Sequence, residues 1–229
     1  MRRTVTKTPK HKPRPASSDD LSLSSSRNAK LIEERHEQIV EGTSKVLFEK
    51  GFHPTTTREL AEACGMSMGQ FYHYVSSKDD VLYLLHKHMI KLWRESLKTS
   101  GVDQIVDPVE RLTAALRNSL DFIAEQNKLF RFIITESKNM DRERLRTVLK
   151  LDYEYSVMFW RGLLQGVNAH KPIKGDIEII ANQIVLLQLF QPLRGWTVKH
   201  RLPEEVRDTM VDFILRGLGL FECQEAAQK

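Results

Sequence analysis

Only two cysteines occur in the 229 residues, Cys64 and Cys223, and neither has another cysteine nearby. That excludes a disulfide framework, lacks the spacing of a zinc site, and makes a reducing cytoplasm the expected location. No apolar run approaches the roughly eighteen residues that a membrane span needs. The first residues are basic but have no apolar core, so they do not read as a secretory signal. A Gly-rich phosphate loop, a G-x-S-x-G turn and a paired cysteine–histidine set are all missing, which argues against an enzyme and implies no cofactor and no metal. His36-Glu37 begins like a zinc-protease helix, but Val40 stands where the second histidine is required. Acid is also missing at the start: before Asp19 the charged residues are Arg2, Arg3, Lys7, Lys10, Lys12 and Arg14.

What is present begins with charge. The formal charge of +5 and pI near 9.2 favour an anionic partner. Residues 1–26, rich in Lys, Arg, Pro, Ser and Thr, are expected to form a disordered basic tail. It is a solvated extension or an arm that follows phosphates or a minor groove. A hydrophobic content of 41% is enough to bury a core behind it.

The most informative stretch runs from Thr55 to Lys78. Thr56 with Glu59 makes a capping box that opens one short helix, and Leu60, Ala61 and Cys64 give it a narrow apolar face. Gly65 stops it as a left-handed C′ residue. Ser67 caps a second helix over Met68 to Tyr74, in which Phe71 and Val75 point inward together. Ser67, Met68, Gln70, Tyr72 and His73 are left mainly outward, with Tyr74 near the rim. A short helix presenting an amide, hydroxyls and an imidazole fits a major groove.

Gly51-Phe52, Thr55-Thr56, Leu60-Ala61, Gly65-Met66-Ser67-x-Gly69, Phe71-Tyr72 and Lys78 occur in one order and spacing over Lys45 to Leu85. In this the chain resembles the DNA-binding motif of the TetR (tetracycline-repressor) family of bacterial transcription regulators. The resemblance departs at Val75, where an aromatic residue is usual. It implies an all-α fold: a three-helix helix-turn-helix head over 27–76 and a ligand-binding and dimerisation body of about six helices over 77–229. It also implies the DNA contacts, with Thr56, Thr57, Ser67, Tyr72 and Lys78 near phosphates. Met68, Gly69, Gln70, His73 and Tyr74 are then near bases or adjacent backbone, and Gln70 is the candidate reader of an adenine edge.

The body continues at helical spacing. Ser77 with Asp80 caps a helix to Lys98, and Asp107-Pro108 opens another that breaks near Gln126-Asn127. Leu129 to Ser137 is short and very apolar, and the lack of any partner strand favours a buried helix. Asp141 to Val167 is long, with Gly162 and Gly166 read as a site of close helix packing. Asp176 to Phe190 and the helix after Pro203 carry more apolar surface than one face can bury, which points to a homodimer interface. Trp93, Asn118, Arg131, Tyr153, Trp160 and Arg161 are candidate ligand-binding residues in a mostly apolar pocket. Arg131 and Arg161 suggest an acidic or amphipathic effector, such as an acyl thioester or an aromatic acid. The expected function is a repressor that a small molecule releases from double-stranded operator DNA. The alternative is a DNA-binding architectural or division-type factor of the same fold without an effector.

Overall fold

A computed structural model describes residues 18–221, and among them every regular element is helical. The head is α1 (Ser18–Lys50), α2 (Thr57–Ala63) and α3 (Met68–Tyr74). The body follows as α4 (Lys78–Thr99), α5 (Pro108–Glu125), α6 (Asn127–Glu136), α7 (Arg142–Asp152), α8 (Met158–Asn168), α9 (Ile177–Gln188), α10 (Phe190–Arg194) and α11 (Pro203–Gly217). The body exceeds the expected six helices for two reasons. A single π-type turn over Tyr153–Val157 divides α7 from α8, and α10 turns off the end of α9 around Pro192.

The tail expectation changes. α1 begins at Ser18 and not at Arg27, so residues 18–26 are helical, while residues 1–17 lie outside the described residues. The sequence carries the reason: no proline or glycine occurs between Pro15 and Gly42, and Ser18-Asp19-Asp20 is a strong helix start. Leu31 and Ile32 of α1 are exposed, because only the half from Ile39 to Leu47 packs on the head.

Two hydrophobic clusters organise the chain. One surrounds α2 and α3 and includes Leu47, Leu60, Phe71, Val75 and Leu82. It also takes in Leu129, Phe132, Ile133, Met140 and Val148 from α6, the connection after it, and α7. The other is the body core around Trp93, Leu116, Phe130, Trp160, Ile184 and Leu215. Head and body therefore meet across packed side chains at the boundary drawn near residue 77. Gly162 and Gly166 do not pack closely: a Cβ at either would meet nothing within 4 Å. The close approach lies instead at Gly42 of α1, where a Cβ would stand 2.7 Å from the Ala63 carbonyl oxygen and 2.8 Å from Cys64 Cα.

Candidate functional site

The reading helix is built by local hydrogen bonds. The Thr56 hydroxyl accepts from the Glu59 backbone N–H at 3.3 Å, and a Glu59 carboxylate oxygen accepts from the Thr56 N–H at 2.7 Å. Lys50 also bonds Glu59, and these partners hold its carboxyl down to about 2. α2 ends where Gln38 donates to the Cys64 carbonyl at 2.7 Å and Gly65 turns left-handed at φ +64. The same box repeats on α3: Ser67 Oγ accepts from the Gln70 N–H at 3.3 Å, and Gln70 Oε1 accepts from the Ser67 N–H at 3.0 Å. Phe71 and Val75 are buried as expected. His36 of α1 lies beside the Tyr74 backbone at the end of α3.

With α3 fixed from both ends, its free edge is defined. Thr56, Ser67, Gly69, Gln70, Tyr72 and His73 are exposed and Thr57 is half-buried. Met68 differs from expectation: like Tyr74, which stands at the rim, it packs against the head cluster and is only partly available. Lys78 differs more. Its Nζ donates to the carbonyls of Phe52 (2.9 Å), Thr55 (2.9 Å) and His53 (3.3 Å), and it lies 4.6 Å from the Phe52 ring centre. An ammonium has three N–H donors, so all of them are engaged inside the chain. Lys78 thus ties the start of α4 to the loop before α2 and does not stand open for a phosphate. Sequence reading passed over Arg58, the cation of α2, which is exposed and forms no ion pair among the described residues. Its place in the first turn of a capped helix was the available signal.

The start of α4 is tied to the body as well as to the head. Asp80 is buried, accepts from the Ser76 N–H at 2.7 Å and pairs with Arg144 of α7. Asp79 accepts from the Asp141 N–H at 2.7 Å. Further along, Lys91 of α4 pairs with Glu37 of α1.

A cavity of about 270 Å³ lies between α4 and the wall made by α7 and the π-type turn. Trp93, Phe130 and Trp160 in its wall belong to the body core, while Ile133 and Val148 belong to the head cluster. Trp93 and Trp160 are thus placed as expected, with the Trp93 indole N–H given to Ser119 Oγ at 2.9 Å. The other four ligand candidates lie elsewhere. Asn118 accepts from Ser96 at 3.1 Å, and Arg131 is exposed on a separate groove beside α10. Tyr153 donates to Glu178 at 3.0 Å, and Arg161 pairs with the same carboxylate at 3.8 Å, so both join α9 at the surface. Helical spacing alone did not tell the faces apart, because the π-type turn rotates the residues that follow it.

The polar residues that do line the cavity are His86, Ser137, Asp152, Ser156 and Gln188. Ser137 gives its O–H to the Ile133 carbonyl, so His86 Nε2 donates to Ser137 Oγ across 2.9 Å. Burial pushes the His86 imidazole down to about 4 and the Asp152 carboxyl upward, the latter against a bond from Ser156. Among the described residues, no group of three or more metal-ligating side chains is present, and no helix is long and apolar enough to cross a membrane.

Comparison with known proteins fits this geometry. Residues 39–83 match the family of bacterial regulatory proteins, tetR family. The transcriptional regulator HbdR of Aromatoleum sp. (strain CIB) is 33% identical over 87 residues, 38% of each chain. The uncharacterized regulator YuxN of Bacillus subtilis (strain 168) is 25% identical over 197 residues, 82% of this chain and 65% of the other. The chain thus spans less than two thirds of the length of either relative. A tetR-family regulatory protein from Rhodococcus RHA1 superposes with a TM-score of 0.68 at 18% identity, over 82% of this chain and 98% of that one. AibR, solved with isovaleryl coenzyme A and operator DNA, superposes at 0.61 with 23% identity, over 78% of this chain and 97% of its own.

Proposed function

Since this chain is a member of the TetR family, we propose that it is a sequence-specific DNA-binding transcription regulator, a homodimer released from its operator by a small molecule in the body cavity. The observation that carries this reading is the shared wall: side chains of the head cluster, Ile133 and Val148, also line the cavity. An occupant that shifts α7 pulls on Arg144–Asp80 and Asp141–Asp79, and so on the start of α4. Lys78 carries that shift to the loop before α2. A coupling of about 1–3 kcal/mol would weaken operator affinity roughly 5- to 150-fold, and operator would weaken ligand binding by the same factor.

In this reading Gln70 and His73 meet base edges or adjacent backbone, while Thr56, Thr57, Arg58, Ser67 and Tyr72 meet phosphates. Because Gln70 Oε1 serves the α3 cap, its amide N–H₂ is the group that remains for a base. Dimerisation uses Ile179 and Leu186 of α9 with Phe213 of α11; Leu186 and Phe213 are each 66% exposed. A two-fold axis there sets the two α3 helices one DNA turn apart, about 34–36 Å.

The test is selection of binding sites from a randomised duplex pool, followed by titration of the bound complex with small apolar compounds. A palindromic site with half-sites one turn apart, released by a compound that fills the cavity, is expected. Absence of any enriched sequence overturns the regulator. An operator complex indifferent to every cavity ligand leaves the architectural factor.

A further inference from the structure

We infer that the cavity, taken as the effector site proposed above, selects a small, largely apolar molecule with an uncharged end that both accepts and donates a hydrogen bond, an alcohol, and rejects carboxylic acids. Size comes first. A cavity of about 150 Å³ accepts benzene, so 270 Å³ holds a ligand of about ten to twelve non-hydrogen atoms. Trp93, Trp160, Phe130, Ile133, Val148 and other apolar side chains make most of its wall, so most of that ligand is apolar.

The polar groups then set the sign. Gln188 is only 5% exposed, and its Nε2 has no hydrogen-bond partner among the described residues. Buried donors are nearly always satisfied, so this amide N–H₂ calls for a hydrogen-bond acceptor on a ligand, which a hydroxyl supplies and an ammonium does not. Asp152 stands in the same wall with Ser156 as its bonding partner, and a carboxyl group there takes a ligand donor.

Among the described residues nothing in the wall balances a negative ligand: no lysine or arginine of theirs lines the cavity. His86 is neutral at pH 7, because burial pushes it down to about 4. The cations of α4 at this level, Lys87, Lys91, Arg94 and Lys98, line a separate surface groove beside Tyr155. An acid entering the cavity would lose its hydration and face Asp152, and both effects oppose its charged form.

The experiment uses three probes on one skeleton, 4-phenylbutan-1-ol, 4-phenylbutylamine and 4-phenylbutyrate, with the full chain at pH 7. Binding is followed by calorimetry and by tryptophan fluorescence, since Trp93 and Trp160 line the site. The alcohol is expected to bind at least tenfold more tightly than the acid and more tightly than the amine, whose ammonium offers Gln188 Nε2 no acceptor. Asp152→Asn narrows the gap to the acid, and Gln188→Leu weakens the alcohol. Equal or tighter binding of the acid or the amine overturns the proposal. So does failure of the alcohol, or a preference over the acid that Asp152→Asn leaves unchanged. Operator release is measured separately: a probe that binds as expected without releasing DNA refutes the effector role while the ligand class stands.

Discussion

The head and the body each bury a hydrophobic cluster, but they treat their polar atoms in opposite ways. Around α2 and α3 the polar side chains close on nearby backbone: Thr56 with Glu59, Ser67 with Gln70, Gln38 on the Cys64 carbonyl, Lys78 on three carbonyls. In the body, Gln188 Nε2 is buried without a partner and His86 is held neutral by burial. Satisfied groups fix a geometry, which a base-reading helix needs. An unsatisfied group in an apolar wall holds a place for a ligand.

The largest test of the contrast lies on α11. Ile214 is 5% exposed and belongs to the body core, whereas its neighbour Phe213 is 66% exposed. Ile214→Asp buries a charge and should cost about 4 kcal/mol or more, leaving no folded protein. Phe213→Asp should leave a folded monomer, read by sedimentation and circular dichroism together. A folded dimer of Phe213→Asp would remove α11 from the interface.

Acid comes next. The folded value of His86, about 4, lies below its ordinary 6.5, so the folded chain binds this proton less readily than the unfolded one. Its contribution is whole above pH 6.5 and is lost as pH falls from there through 4, by about 3 kcal/mol at the limit. Urea midpoints of the wild type and His86→Gln across pH 7 to 4 should converge as pH falls, if the imidazole is the group responsible.

Glycine gives a matched pair. Gly42→Ala drives a Cβ into the backbone of α2 and should cost about 2 kcal/mol. Gly166→Ala meets open space within the chain and should gain up to about 1 kcal/mol from helix propensity. A loss at Gly166 that scales with protein concentration would instead mean that α8 meets the partner subunit.

The smallest effect separates capping from reading. Gln70→Glu keeps an acceptor for the Ser67 N–H, so the stability of α3 should change little. It removes the amide donor and adds a charge beside phosphates, which should reduce operator affinity by about 1–3 kcal/mol and relax base preference. Equal losses on operator and scrambled DNA would take Gln70 out of readout.

The head was readable because its signals are local. A capping box spans four residues, a left-handed turn asks for glycine at one position, and Phe71 with Val75 needs only helical spacing. The cavity was half readable. Trp93 and Trp160 were found as large apolar residues at core spacing, but Arg131, Tyr153 and Arg161 fell on the surface. His86 was missed and Gln188 was not singled out as a ligand contact, since an amide or imidazole inside an apolar helix looks the same whether it faces a ligand, a partner or water. Lys78 was assigned to phosphate because nothing near it in the chain reveals three carbonyls 23 to 26 residues away.

Sequence alone determined the all-helical class, the ends of α2 and α3, the edge that α3 presents and the apolar excess of α9 and α11. Those follow from interactions within one or two helical turns, where chain position and spatial position coincide. Tertiary structure decided which polar groups are spent and which are open. It closed the Lys78 ammonium on the head, carried the two arginines away from the cavity, and left one buried amide without a partner. Such outcomes depend on how helices far apart in the chain are packed, and the π-type turn between α7 and α8 alters which faces meet.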